Sequence, residues 1–282
     1  MVAACGSAHA STGGRLQVLA AAYPFAWAAE RVGGPDVRVV NLVKPGVEPH
    51  DIELAPRQVG AVEQASLVVY LHGFQAAVDD AVRNAAPDSR LDIGPVVHVQ
   101  PLSSDLKDEN GSGIDPHVWL DPVRMTAIVD AVARRLAIAD PAHAAGYASR
   151  AAAADRRLAA LDSLFRSRLQ GCVRHDIVTA HTAFAYLGAR YGLHQVGVTG
   201  LSPDAEPAPG HVAKVARYAR AHGVTTVFFE SRIDPKLAQT VASEIGAGTA
   251  VLDPVEGVRP GDDYLSVMRR NAEALHDGLG CS

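Results

Sequence analysis

Short, continuously apolar runs recur along this chain, and most are separated by amphipathic stretches at helical spacing. LQVLAA, VRVVNLV, LVVYL and VVHV fall in the first half; DIVTA, HQVGV, TTVFF and TAVLD fall in the second. Val, Ile and Leu without polar alternation suit strands buried on both faces, and strand–helix–strand repetition predicts parallel sheets covered by helices. Residues 24–32, 209–222 and 235–245 each begin near a proline, whose missing N–H costs nothing in a first helical turn.

Residues 122–169 break this rhythm with Ala, Arg and Leu at helical spacing and no strand pattern. Asp140-Pro141 interrupts them, predicting one helix that ends near Ala139 and another that starts at Pro141. The second spans roughly 28 residues, or about 42 Å at 1.5 Å per residue. A helix of that length between two α/β halves reads as a spine, since its apolar positions are too few for the sustained heptads of a coiled-coil arm. The expected class is therefore α/β: two lobes, each a mostly parallel sheet flanked by helices, joined by a long helix. The expected division is a tether at 1–14, lobes at 15–139 and 171–282, and a linking helix at 140–170.

The 282 residues carry 26 Lys and Arg against 31 Asp and Glu, a net charge of −5. Nucleic acid binding needs clustered basic charge, so it is not expected. No apolar run approaches the roughly 20 residues that span a bilayer. VAAC at 2–5 has the form of a bacterial lipobox, and the Gly, Ser, Ala and Thr that follow read as a flexible tether. Acylation of Cys5, with the membrane reached only through that anchor, is the expectation; an ordinary unstructured N-terminus is the alternative. Of the three cysteines, Cys172 and Cys281 then remain as a pair that an exported protein could bridge.

Twelve histidines need sorting. His9 lies in the tether, His98 in an apolar run, and His143, His222 and His276 on or at the ends of helical faces. Three have distinctive settings: His50 in VKPGVEPHDIEL, His117 in DPHVWLDP, and His181 directly after DIVTA. In open parallel sheets ligands bind beyond the carboxyl ends of strands. His50 and His181 follow such ends, as does Asp253 in TAVLDP, while His117 comes from the connection before the helical middle. Three imidazoles and a carboxylate form a four-coordinate set suited to zinc. These residues are each more than 60 positions apart, so only the fold can assemble them. Glu230, Glu206 and His72 are candidates to orient the ligands through outer hydrogen bonds.

PHDIELAPRQV, LVVYLHG, DPHVWLDPVRM, HTAFAYLGARYGL, VTGLSPDAEPAPG, VFFESRIDPKLA and DYLSVMRRN occur in this order. From about Leu16 to the C-terminus the chain thereby resembles ABC-transporter solute-binding proteins of the zinc and manganese uptake family. The resemblance implies two α/β lobes on a rigid helix, with one metal ion in the cleft. His50, His117 and His181 match the family's metal histidines, and Asp253 its C-terminal carboxylate. Manganese-binding members place Glu where His181 stands, so an imidazole there favours Zn²⁺ over the oxygen-seeking Mn²⁺. The His-rich loop of many zinc members is absent: VQPLSSDLKDENGSG holds no histidine. Some members have Glu immediately before the first histidine; here Pro49 stands there and Glu48 is one place back, leaving Asp253, water and Glu48 as fourth-ligand candidates in that order.

The implied role is a periplasmic or surface-anchored receptor with no catalytic step. It delivers Zn²⁺ to an ABC permease, acts as a monomer, and has a zinc metallochaperone as a further candidate partner. The readings it competes with are a manganese or iron receptor of the same family, a zinc hydrolase and a metal-dependent surface adhesin. Against the hydrolase, neither HExxH nor G-x-S-x-G is present.

Overall fold

The computed structural model describes residues 14–99, 113–201, 207–231 and 234–282. Two four-stranded sheets form the frame. The first contains β1 (Leu16–Ala20), β2 (Val37–Asn41), β3 (Leu67–Tyr70) and β4 (Arg90–Asp92), in the order β2-β1-β3-β4. The second contains β5 (Asp176–Thr179), β6 (His194–Gly197), β7 (Thr226–Phe229) and β8 (Gly248–Val251), in the matching order β6-β5-β7-β8. Every pairing is parallel, with Leu16 opposite Val37 in the first sheet and Thr226 opposite Gly248 in the second. Strand ends therefore gather on one edge of each sheet.

The helices are α1 (Tyr23–Gly33), α2 (Pro56–Gln64), α3 (Ala76–Val82), α4 (Gly94–Val97), α5 (Pro122–Ala139), α6 (Ala144–Arg168), α7 (Ala185–Tyr191), α8 (Pro209–Ala221), α9 (Lys236–Ile245) and α10 (Tyr264–Leu279). Asp121 caps α5 by accepting the Val123 N–H at 2.9 Å. Asp263 and Ser266 satisfy each other's backbone N–H groups at the start of α10, each at 2.9 Å. One expected strand is misplaced. VVHV is not extended: Gly94 and Pro95 start the short helix α4, and the edge strand is Arg90–Asp92, whose single apolar residue gives little signal.

α6 is the spine. Its 25 residues extend about 38 Å and begin after a 3-10 turn at Pro141–His143. It packs on α5 and α1, which belong to the first sheet's side, and on α10, which lies against β8. One apolar cluster runs through both halves, from Val18, Trp27 and Trp119 to Ile177, Phe228 and Met268. A smaller cluster, including Val215, Val227 and Val241, fills the outer layer of the second sheet. Cys172, just beyond α6, is joined by a disulfide to Cys281 at the C-terminus. Among the described residues no helix is long and apolar enough to cross a membrane.

Candidate metal centre

Three histidines arrive from three different connections. His50 lies on the loop after β2, where its backbone N–H donates to Glu48 Oε1 at 3.1 Å. The buried Gln75 amide ties that loop to the sheet, donating to Pro49 O at 2.7 Å and to Ala21 O at 3.1 Å. Phe74 meets the His50 ring edge-on, with centroids 5.0 Å apart. His117 precedes the 3-10 turn at Val118–Leu120 and is fully buried. His181 lies two residues past the end of β5; its carbonyl accepts from Thr179 Oγ1 at 2.7 Å and from Gln195 Nε2 at 3.0 Å. Ring centroids of His50 and His117 are 5.2 Å apart, and those of His117 and His181 are 5.4 Å apart.

Carboxylates orient two of the rings. Asp115 Oδ1 accepts both the backbone N–H of His117 at 3.0 Å and its Nδ1–H at 2.8 Å. Glu230, at the end of β7, accepts from His181 Nδ1. Each contact engages the ring at Nδ1 and leaves Nε2 as the nitrogen for the cluster, as in carboxylate–imidazole–metal relays. The Nε2 of His181 is buried with no hydrogen-bond partner, and that of His50, also buried, has only the Glu256 carboxylate at 3.4 Å. An orphaned buried nitrogen is costly, and this one belongs to an imidazole beside two others.

The nearby carboxylate is Glu256. Its Oε1 lies 3.0 Å from His117 Nε2 and 3.4 Å from His50 Nε2. One donor atom each from His50, His117 and Glu256 lies within 4.8 Å of the others. Asp253, the expected fourth ligand, points elsewhere. Its Oδ1 accepts the Val255 N–H at 2.8 Å, its Oδ2 accepts from Ser231 Oγ, and it lines an open cavity of about 430 Å³ with Arg259 and Arg270. Glu256 stands three residues further along the chain, on the turn that follows β8.

Burial alone would lower the His117 pKa, but its hydrogen bonds to Asp115 and Glu256 push it up to about 10. Burial would raise Glu256; bonds from His117 and His50 outweigh it and hold that carboxyl well below the usual range. For His50 burial wins and its pKa falls, despite Glu256. Glu230 is raised by burial, which the neighbouring His181 only partly offsets.

Of the other expected residues, His72 is 73 % exposed and its Nδ1 faces Asp79 at 3.3 Å, so it turns away from the imidazole cluster. Cys5 and Glu206 lie outside the described residues. Sequence reasoning missed Asp115, although it stands two places before His117 in the same string. Trp119 packs behind the site, 5.4 Å from the His117 ring, and donates from Nε1 to Pro254 O at 2.7 Å.

The candidate donors are the His50–His117–Glu256 trio with the His181 imidazole beside it, and two further carboxylates stand behind the rings. That composition suits zinc and is poor in the oxygen donors that Mn²⁺, Mg²⁺ and Ca²⁺ prefer.

Known proteins share this arrangement's frame. The chain is 31% identical over 299 residues to the high-affinity zinc uptake system protein ZnuA of Bacillus subtilis, covering 99% of this chain and 94% of that protein. It is 30% identical over 286 residues to the zinc-binding protein AdcA of Streptococcus pyogenes, covering 93% of this chain but only 56% of AdcA. The chain thus spans little more than half the length of that relative. The Zn(II)-bound ZnuA-like domain of Streptococcus pneumoniae AdcA superposes with a TM-score of 0.80 at 30% identity, covering 94% of this chain and 99% of the domain. The family model described as zinc-uptake complex component A, periplasmic, matches residues 18–278. With that match running through both sheets and the spine helix, this protein belongs to the family of zinc-uptake complex component A.

Proposed function

We propose that this chain is the extracytoplasmic receptor of a zinc importer, taking up Zn²⁺ with His50, His117, His181 and Glu256 and handing it to an ABC permease. The observation carrying this reading is the buried, partnerless Nε2 of His181 beside His117 and His50, whose own buried Nε2 atoms converge on the Glu256 carboxylate. Zinc as cargo would complete all four groups together. The names of the relatives and the donor chemistry support the same metal. Four protein donors leave no open position for an activated water, so the geometry favours capture over hydrolysis.

Release then requires breaking a closed site. The spine helix packs against both sides of the molecule, which disfavours wide hinge opening. Movement of a ligand-bearing loop on docking with the permease is the more economical route. Attachment to the membrane through Cys5, action as a monomer and supply by a metallochaperone belong to the same proposal.

Competition titration against a chromophoric chelator tests the site. His117→Ala should weaken Zn²⁺ binding by more than about 100-fold, because loss of outer-shell groups alone costs 10–100-fold. His98→Ala, at an exposed position, should change little. Equal effects of the two substitutions would refute the assignment.

A further inference from the structure

We propose that Asp253 is a positioning residue. Together with Asn271, Ser231 and Trp119 it clamps a strained turn, and that clamp aims the Glu256 carboxylate at His50 and His117. The inference rests on the reading of Glu256 as a metal ligand.

The starting point is Val255. Its φ is +60°, and its side chain is fully buried. A β-branched residue in the left-handed region is a true backbone outlier, and such conformations persist only where surrounding contacts over-determine them. Those contacts are present on both sides of the preceding peptide bonds. The Asp253 N–H donates to Asn271 Oδ1 at 2.9 Å, and the Asp253 carbonyl accepts from Asn271 Nδ2 at 2.7 Å. Trp119 Nε1 holds the Pro254 carbonyl, and Asp253 Oδ1 accepts the Val255 N–H at 2.8 Å. The last contact is an Asx turn, in which a side chain two residues upstream stabilises the bend.

Two features tie the clamp to the metal centre. Asn271 lies on α10 and is buried, so the turn is fixed to the core. Ser231, which donates to Asp253 Oδ2, immediately follows Glu230, the partner of His181. One hydrogen bond thus links the support of His181 to the segment presenting Glu256. If Val255 relaxed to an extended conformation, the chain beyond it would swing and withdraw the carboxylate one residue later.

This differs chemically from a direct ligand role for Asp253. A ligand needs an anionic oxygen on the metal; a positioning residue needs an acceptor for Val255 N–H and a partner for Ser231. Asparagine supplies the second pair, with its amide oxygen accepting and its NH₂ group donating to a reoriented hydroxyl.

The test uses the full chain, Zn²⁺ affinity by chelator competition, and the Co²⁺ electronic spectrum as a report on coordination. Asp253→Ala should weaken Zn²⁺ binding by about 10–100-fold, the range for groups acting behind a ligand. Asp253→Asn should restore affinity to within about threefold of the parent and restore the parent Co²⁺ spectrum, as expected if the hydrogen bonds alone matter. Adding Asp253→Ala to Glu256→Ala should cost less than about twofold more, because coupled residues are not additive. Asp253→Asn binding as poorly as Asp253→Ala would overturn the proposal, as would full multiplication of the two alanine effects. Should Asp253→Ala not fold, Asp253→Asn alone decides: a loss of tenfold or more refutes positioning. Glu256→Ala with unchanged affinity would instead overturn the ligand reading beneath it.

Discussion

Zinc binding should expel a proton from His117 at neutral pH. Before metal arrives, this ring donates from Nδ1 to Asp115 at 2.8 Å, and its Nε2 lies 3.0 Å from Glu256. Both neighbours are carboxylates, so the buried ring is held as an imidazolium. Burial opposes this, but the two hydrogen bonds prevail and the pKa rises to about 10. A metal-bound imidazole must be neutral at the ligating nitrogen, so the proton competes with zinc. The sign follows: affinity increases with pH and stops increasing only above the raised pKa. Each unit below it costs about tenfold, or ~1.4 kcal/mol. From pH 8 to pH 6 this group alone should weaken binding roughly 100-fold, or about 2.7 kcal/mol. His50 has a lowered pKa and adds competition only at more acid pH. Calorimetry at pH 7 in buffers of differing ionisation enthalpy counts the protons. About one should leave per Zn²⁺ on this account, and fewer in Glu256→Gln. Zero release together with flat affinity between pH 6 and 8 would mean that His117 is neutral before zinc binds.

Other consequences lie away from the metal or report on it indirectly. Asp155 on α6 has a buried, partnerless Oδ1, and burial followed by the nearby Asp130 raises its pKa to about 6. A folded pKa above the unfolded value means stability is lost as pH rises between about 4 and 6. After discounting for partial exposure, Asp155→Asn should gain about 1 kcal/mol, or roughly 2 °C in Tm, at pH 7.5 and less at pH 4.5. The Cys172–Cys281 bridge spans 109 residues, and in the chain-entropy model a loop of that size contributes about 4.7 kcal/mol. Replacing both cysteines by serine should lower Tm strongly while leaving zinc affinity nearly intact, because the bridge lies at the C-terminal end of α6. Of the two tryptophans, only Trp119 packs against His117. A zinc-induced change in fluorescence should therefore persist in Trp27→Phe and vanish in Trp119→Phe.

Much of the frame was legible because parallel strands buried on both faces leave continuous apolar runs, and DIVTA and LVVYL needed no further context. The spine was legible for the opposite reason: a long stretch without strand residues, punctuated once by Asp140-Pro141. VVHV misled because β-branched composition was weighed above the Gly94-Pro95 pair that starts a helical turn, while the true edge strand is mostly polar. At the site, His50, His117 and His181 stand in strings whose position at strand ends or before a capped helix marks them. Glu256 could not be read that way. Its place depends on Val255 adopting a left-handed conformation that side-chain propensities argue against, and on Asn271 and Trp119, distant in sequence, holding the turn. Asp253 stands two residues past β8, at a strand end where a ligand is expected. Asp115 carried a usable signal, since a carboxylate two residues before a histidine can reach both its N–H and its Nδ1.

Diffraction from zinc-loaded crystals, with data on both sides of the zinc edge, would locate the ion and its ligands. One strong anomalous peak is expected, bonded to Nε2 of His50, His117 and His181 at about 2.0–2.1 Å and to a Glu256 oxygen at about 2.0–2.2 Å. Asp253 should remain on Ser231 and the Val255 N–H. A peak coordinated by Asp253, or one away from the three histidines, would contradict that ligand set.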